Sequence, residues 1–120
     1  MGGGRTVRVD DVHWIDLPAI NGHEQRGRRP AVLLQDDHYA GELPVLLVVP
    51  LTTTRAAVRF VGTTLIRPTA ENGLRQVSVA LVFQLRAIDR RRVQERIGNV
   101  SAEVLHEMFA ELDKLTGRAE

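Results

Sequence analysis

The sequence predicts a mainly β fold closed by a C-terminal helix, an α+β class built as a small, strongly bent sheet or partly open barrel. Three observations predict it. About five short runs have strand character and are separated by turn residues. Residues 77, 79, 81, 83 and 85 are all apolar, the clearest period-2 signal in the chain. Residues 101–117 carry one apolar stripe at helical spacing behind a good N-cap.

Residues 1–6 are Gly-rich and expected to fray. Val7 and Val9 alternate with Arg8 and Asp10, and Val12 and Trp14 flank His13. This reads as a strand with a kink or bulge near Asp10 and Asp11, ended by Pro18. Residues 18–30 hold two Pro, two Gly and almost no apolar periodicity, so they read as a loop of a length that marks function or mobility. Residues 31–35 read as a buried strand and 36–44 as a polar loop. The apolar run 45–49 reads as a central strand, with Pro50 marking its end or its edge. Residues 58–66 have the β-branched content of a further strand, and Pro68, Asn72 and Gly73 give residues 67–74 turn chemistry. Residues 89–100 fit neither period, although Asp89 could cap a short helical turn over Arg90, Arg91 and Arg92. Ser101 is the expected cap of the final helix, Glu103 complements its dipole, Val100 and Leu105 stand at the staple positions, and Gly117 ends it. The stripe Val104, Leu105, Met108, Phe109, Leu112 and Leu115 reads as core or subunit interface.

A chain of 120 residues is expected to form one domain, here residues 7–117 with a short tail at 118–120, and to bury a core without staples. Apolar residues are 43%, charged residues 26% and aromatics only 4%, so the core must rest on Val, Leu, Ile and Ala. There is no Cys, which excludes disulfides and Cys-based zinc sites and suits a reducing cytosol. No signal-peptide pattern or membrane-length apolar run is present, and the expected address is cytoplasmic. Net charge is +1, yet fifteen of the sixteen basic residues are Arg. Compositional bias accounts for such an excess more readily than function does; where the arginines sit says more. Gly-rich phosphate loops and a Gly-x-Ser-x-Gly elbow are both missing. His13, His23, His38 and His106 lack ligand spacing, and His23-Glu24 lacks the second His of a zincin helix. Neither a metal nor a cofactor is expected.

One stretch gathers chemistry: Gly22-His23-Glu24-Gln25-Arg26-Gly27-Arg28-Arg29-Pro30, followed directly by an apolar run. So many polar groups at the mouth of a strand make poor core and good site. Pro30 biases Arg29 toward extended geometry, which limits how its side chain leaves the sheet. Thr52, just past a central strand, offers a hydroxyl. Together they could clamp an anion, because a guanidinium grips phosphate at two points. Arg29 could equally pair with Glu24 and pin the loop; the chemistry alone leaves both open.

This stretch resembles the signature of the MazF/PemK/Kid family of toxin endoribonucleases, in which a G-x-E-Q-x-G-x-R-P segment precedes an apolar strand. Val12-His13-Trp14-Ile15-Asp16-Leu17 resembles the family's first strand, Val48-Val49-Pro50-Leu51-Thr52-Thr53 its V-P-x-T segment, and Gln84-Leu85-Arg86-Ala87-Ile88-Asp89 its D-Q-x-R-x-[IV]-D segment. The resemblance covers residues 7–117. It implies the small SH3-like barrel of about five to seven strands shared by the MazF, Kid and CcdB toxins, with residues 89–100 a short turn and then a strand. It also implies a homodimer, metal-independent cleavage of single-stranded RNA through its 2′-hydroxyl, and a cognate antitoxin that blocks the RNA groove. By family position Arg29 resembles the catalytic arginine and Thr52 the hydroxyl at the scissile phosphate. His23 and Glu24 match positions used for base or substrate-contact roles; each could equally be a loop residue. Gln25, Arg26, Arg28, Thr53 and Arg86 are the remaining candidates for RNA contact, with wall or loop-organising roles the alternative for Gln25 and Arg86.

There is one departure. Some relatives carry Asp immediately before the Gln of the D-Q-x-R segment, and some an Arg two residues earlier; here these positions are Phe83 and Leu81, which cannot handle protons. The proton-transfer roles of that branch therefore do not carry over. Two rival readings follow: a gyrase-binding toxin on the same barrel, which needs neither Arg29 nor Thr52, and a weakened family member that binds or regulates.

Overall fold

The computed structural model describes residues 7–18 and 27–119. Seven strands form one antiparallel system: β1 (Asp11–Leu17), β2 (Gly27–Leu33), β3 (Val45–Thr52), β4 (Thr63–Ile66), β5 (Ser78–Leu81), β6 (Arg86–Asp89) and β7 (Val93–Asn99). A short helix, α1 (Asp37–Ala40), precedes β3, and α2 (Ala102–Thr116) ends the chain. The strand order is β4-β5-β3-β2-β1-β7, with β6 also pairing β3. Among the described residues no helix is long and apolar enough to cross a membrane.

The middle strands bury both faces. Val12, Val32, Val49, Leu51, Ile66 and Ala80 meet Met108 of α2 in one cluster, while Ile15, Ala31, Leu33, Leu46, Val48 and Ile88 form a second on the opposite face. Two-sided burial is why the run at 31–34 does not alternate; in the run at 45–49 Leu47 is exposed although it is apolar. The bent sheet wraps its first cluster around α2.

Several expectations change. The strand predicted from Val7 begins at Asp11, because Asp10 turns the backbone to a φ of 80°. The predicted loop 18–30 ends early: Gly27, Arg28, Arg29 and Pro30 belong to β2, paired with Leu17, Asp16, Ile15 and Trp14. Pro50 does not end β3. On one edge of β3 the partner passes from Arg86, opposite Val48, to Ala80, opposite Leu51. Pro50 falls in that gap, so its missing N–H costs this edge no ladder bond. The polar loop 36–44 contains α1, capped by Asp36 Oδ1 accepting from His38 N at 2.7 Å. Residues 58 and 59 of the predicted strand 58–66 belong instead to a 3-10 helix, Arg55–Arg59, and only Thr63–Ile66 pairs.

The period-2 stretch 77–85 also breaks. β5 stops at Leu81, Val82–Gln84 make a 3-10 turn, and the chain resumes as β6 on the other half of β3. Asp89 does cap a turn over Arg90–Arg92, its Oδ1 accepting from Arg91 N at 2.9 Å, and the Arg91 side chain holds its carboxyl far below the usual range. A strand follows, as the resemblance implied. Ser101 Oγ accepts from Val104 N at 3.1 Å, and Gly117 ends α2 in the left-handed conformation. Residues 67–74 are the expected turn, built around buried Asn72, which accepts from Thr69 N and Leu74 N and donates to Arg67 O.

Candidate functional site

Register assembles the site. β2 and β3 pair with Ala31 opposite Pro50. Arg29 and Thr52 each lie two residues beyond that pair, so by strand alternation they fall on the face of Ala31 and Pro50, and both line one cavity. On the other edge of β3, Arg86 stands opposite Val48, which lies on that face too. The sheet thus gathers Arg29, Thr52 and Arg86 at one end of the second core cluster, although 57 positions separate the first from the last.

Arg29 is half-buried, and its Nη1 donates to Leu51 O at 3.4 Å. Burial, reinforced by the nearby Arg86 guanidinium, holds its pKa below the ordinary guanidinium value. Two cations brought onto one partly dry face make a place that favours an anion. Thr52 Oγ1 accepts from Thr54 N at 3.2 Å, which engages a lone pair and leaves the hydroxyl proton to donate outward. Thr53 is exposed beside it. These side chains line a cavity of about 400 Å³ together with Trp14, Arg28, Pro30, Thr54 and Ser78.

Arg28 leaves β2 on the opposite face from Arg29. Its guanidinium lies 4.3 Å above the Trp14 ring, with Nε donating to Gln94 Oε1 at 2.9 Å and Nη2 to Glu95 Oε2 at 3.0 Å. It is thus a fixed wall of the cavity, tied to β7. Arg86 lies behind Arg29 rather than in the cavity lining. His23, Glu24, Gln25 and Arg26 lie outside the described residues. Among the described residues no group of three or more His, Asp or Glu could hold a metal ion.

Sequence reasoning missed Trp14 and Ser78 as cavity residues. Trp14 was findable, since it is the only Trp and alternates on the same face as Val12. Ser78 was not, because its place depends on where β5 ends. Leu81 is buried as its period required, but Phe83 is 43% exposed, turned out by the 3-10 turn.

The family model of PemK-like, MazF-like toxins of type II toxin–antitoxin systems matches residues 8–116. The chain belongs to this family. Similar members include Endoribonuclease MazF6 of Mycobacterium tuberculosis, 26% identical over 99 residues, which span 82% of this chain and 86% of that protein. The crystal structure of MazF from Deinococcus radiodurans superposes with a TM-score of 0.79 at 28% identity, covering 95% of this chain and 99% of that one. A MazE–MazF structure from the same organism superposes at 0.73 with 27% identity, covering 97% and 100%. The seven-stranded sheet with its C-terminal helix is therefore the PemK/MazF-like toxin fold.

Proposed function

We infer that this family member is an endoribonuclease toxin, held in check by a cognate antitoxin, that cleaves single-stranded RNA at selected sequences. The observation that carries the reading is that Arg29 and Thr52 line one cavity, with the Arg86 charge close by Arg29. Relatives that are named endoribonucleases, and a relative seen as a MazE–MazF assembly, support it. In this reading residues 7–117 act as one domain, in the cytoplasm and as a homodimer, for which exposed Phe109 on α2 offers apolar surface.

The chemistry follows from the groups present. The RNA 2′-oxygen attacks the adjacent phosphorus, the bond to the 5′-oxygen breaks, and a 2′,3′-cyclic phosphate and a free 5′-hydroxyl result. A base takes the 2′-proton and an acid supplies one to the leaving oxygen. Arg29 faces the non-bridging oxygens, where negative charge grows in the transition state, and Thr52 donates its hydroxyl proton to the same phosphate. The lowered pKa of Arg29 brings it closer to proton donation than an exposed arginine, though arginine stays a reluctant acid. His23 and Glu24 are the residues we assign to proton transfer, a need made sharper by the apolar Phe83. Gln25, Arg26, Arg28 and Thr53 extend the grip along the RNA backbone, and Arg86 acts from behind Arg29.

The test is Arg29→Ala in the purified protein. Loss of an oxyanion-type donor costs on the order of a hundred- to a thousandfold in rate. RNA cleavage and growth arrest should fall by that factor while the circular dichroism spectrum and oligomeric state stay unchanged, and wild-type cleavage should persist in EDTA. Growth arrest that survives the substitution, with gyrase inhibited, would instead support the gyrase-binding alternative.

A further inference from the structure

A second cavity, of about 700 Å³, opens beside the clamp. Thr52 and Thr54 line both cavities, so the two adjoin. The wall of the second is apolar, with two phenylalanines among Ala57, Val61, Leu81 and Leu115. Phe60 and Phe83 are 49% and 43% exposed, with ring centroids 6.0 Å apart at an interplanar angle of 63°. The backbone sets Phe83 in place, because its N donates to Gly62 O at 3.1 Å and the 3-10 turn fixes its direction. The Arg59 guanidinium lies 4.9 Å from the Phe60 ring centre, and Gln84 and Thr54 stand at the rim.

A chain with so few aromatics has left two of them in water, side by side, next to its anion clamp. Every unpaired base has a π-face that can cover such a ring, and a stacked base carries its own phosphate to the cation beside it. We propose that Phe83 and Phe60 form a stacking platform for an unpaired nucleobase flanking the scissile phosphate, so that Phe83 positions the RNA strand on this toxin. The proposal rests on the RNA-cleaving reading above. Two observations favour a base over an apolar protein side chain. The platform continues directly from the clamp through Thr52 and Thr54, and Arg59 adds positive charge where the next phosphate of the strand would run. The residue position that holds a proton-transfer Asp in some relatives is thereby used here to hold the strand.

The experiment compares wild type, Phe83→Leu and Phe83→Tyr on one unstructured oligoribonucleotide that the wild type cleaves. Stacking on one ring predicts that kcat/KM falls about ten- to a hundredfold in Phe83→Leu, mainly through KM, and is restored to within a few-fold in Phe83→Tyr. An abasic nucleotide, moved along the substrate, should reproduce the loss in wild type at one position flanking the cut and cause no further loss there in Phe83→Leu. 2-Aminopurine at that position, bound by Arg29→Ala so that it is not cut, should be quenched, and the quenching should vanish when Phe83→Leu is added. Cleavage by Phe83→Leu at the wild-type rate would overturn the platform and leave the nuclease reading standing. So would a loss in Phe83→Leu that Phe83→Tyr does not restore and that accompanies dissociation of the dimer in sedimentation, because the ring would then pack against a second copy of the chain. A wild type that cuts no RNA would overturn the nuclease reading and the platform with it.

Discussion

Arg29 takes its properties from its neighbours. Burial together with the like charge of Arg86 lowers its pKa, and it lines one cavity with Thr52. Both residues were legible in the sequence through motifs. The exposure of Phe83 was not, because a period-2 count assumes one unbroken strand. Asp10 shows a different local conflict. Its φ of 80° suits Asn as well as Asp, but burial, with Asp11 beside it, raises its carboxyl pKa above the ordinary 3.8. A carboxyl with a raised folded pKa contributes most below its unfolded value, and that contribution is lost as pH rises through the folded one. Asp10→Asn should therefore raise the thermal midpoint at neutral pH, with the gain shrinking toward zero as the titration is taken below about pH 3. Equal midpoints at both ends of the pH series would show that the charge carries no cost.

At the scale of elements, β3 organises its neighbours. It pairs with β2 along one edge and is shared along the other by β5 and β6. The apolar run and the V-P-x-T pattern announced β3, but its extension through Pro50 was hidden, since that depends on a gap in the neighbouring strand. The same dependence hid the 3-10 turn after β5. The β2 start was hidden too: glycine, arginine and proline read as loop until β1 supplies a partner. β7 leans on the turn at residues 67–74, with Asn99 N donating to Glu71 O at 2.9 Å. A Cβ on Gly98 would meet Glu71 O and the Asn72 backbone well inside contact distance. Neither partner is a flexible side chain, so Gly98→Ala should destabilise by about 1–3 kcal/mol, read as a lower urea midpoint at unchanged slope.

For the whole molecule, the two clusters on either face of the middle strands join through the sheet, and α2 closes the first of them. Met108 of α2 is fully buried. Met108→Ala should cost about 2–5 kcal/mol in equilibrium unfolding and, because the clamp lies on the opposite cluster's face, leave cleavage per folded molecule near wild type. The overall class was readable because strand runs and a capped amphipathic helix are local signals. The meeting of Arg29, Thr52 and Arg86 was not local; only the motifs pointed to it.

The pairing of β1 with β7 has a consequence for when this protein can act. His13 Nδ1 donates to Gln94 O at 2.8 Å and Asp11 Oδ1 accepts from Arg96 Nε at 3.0 Å, so the first strand is fastened by residues made more than eighty positions later. Arg28, on β2, is tied to the same late strand. At about 5–20 residues per second, synthesis of that interval takes on the order of ten seconds. From Thr52 onward, the ribosome carries a chain that already holds Arg29 and Thr52 but whose sheet lacks its closing edge. A growing chain of this build therefore carries both residues for several seconds before the strand that fastens its first two strands exists.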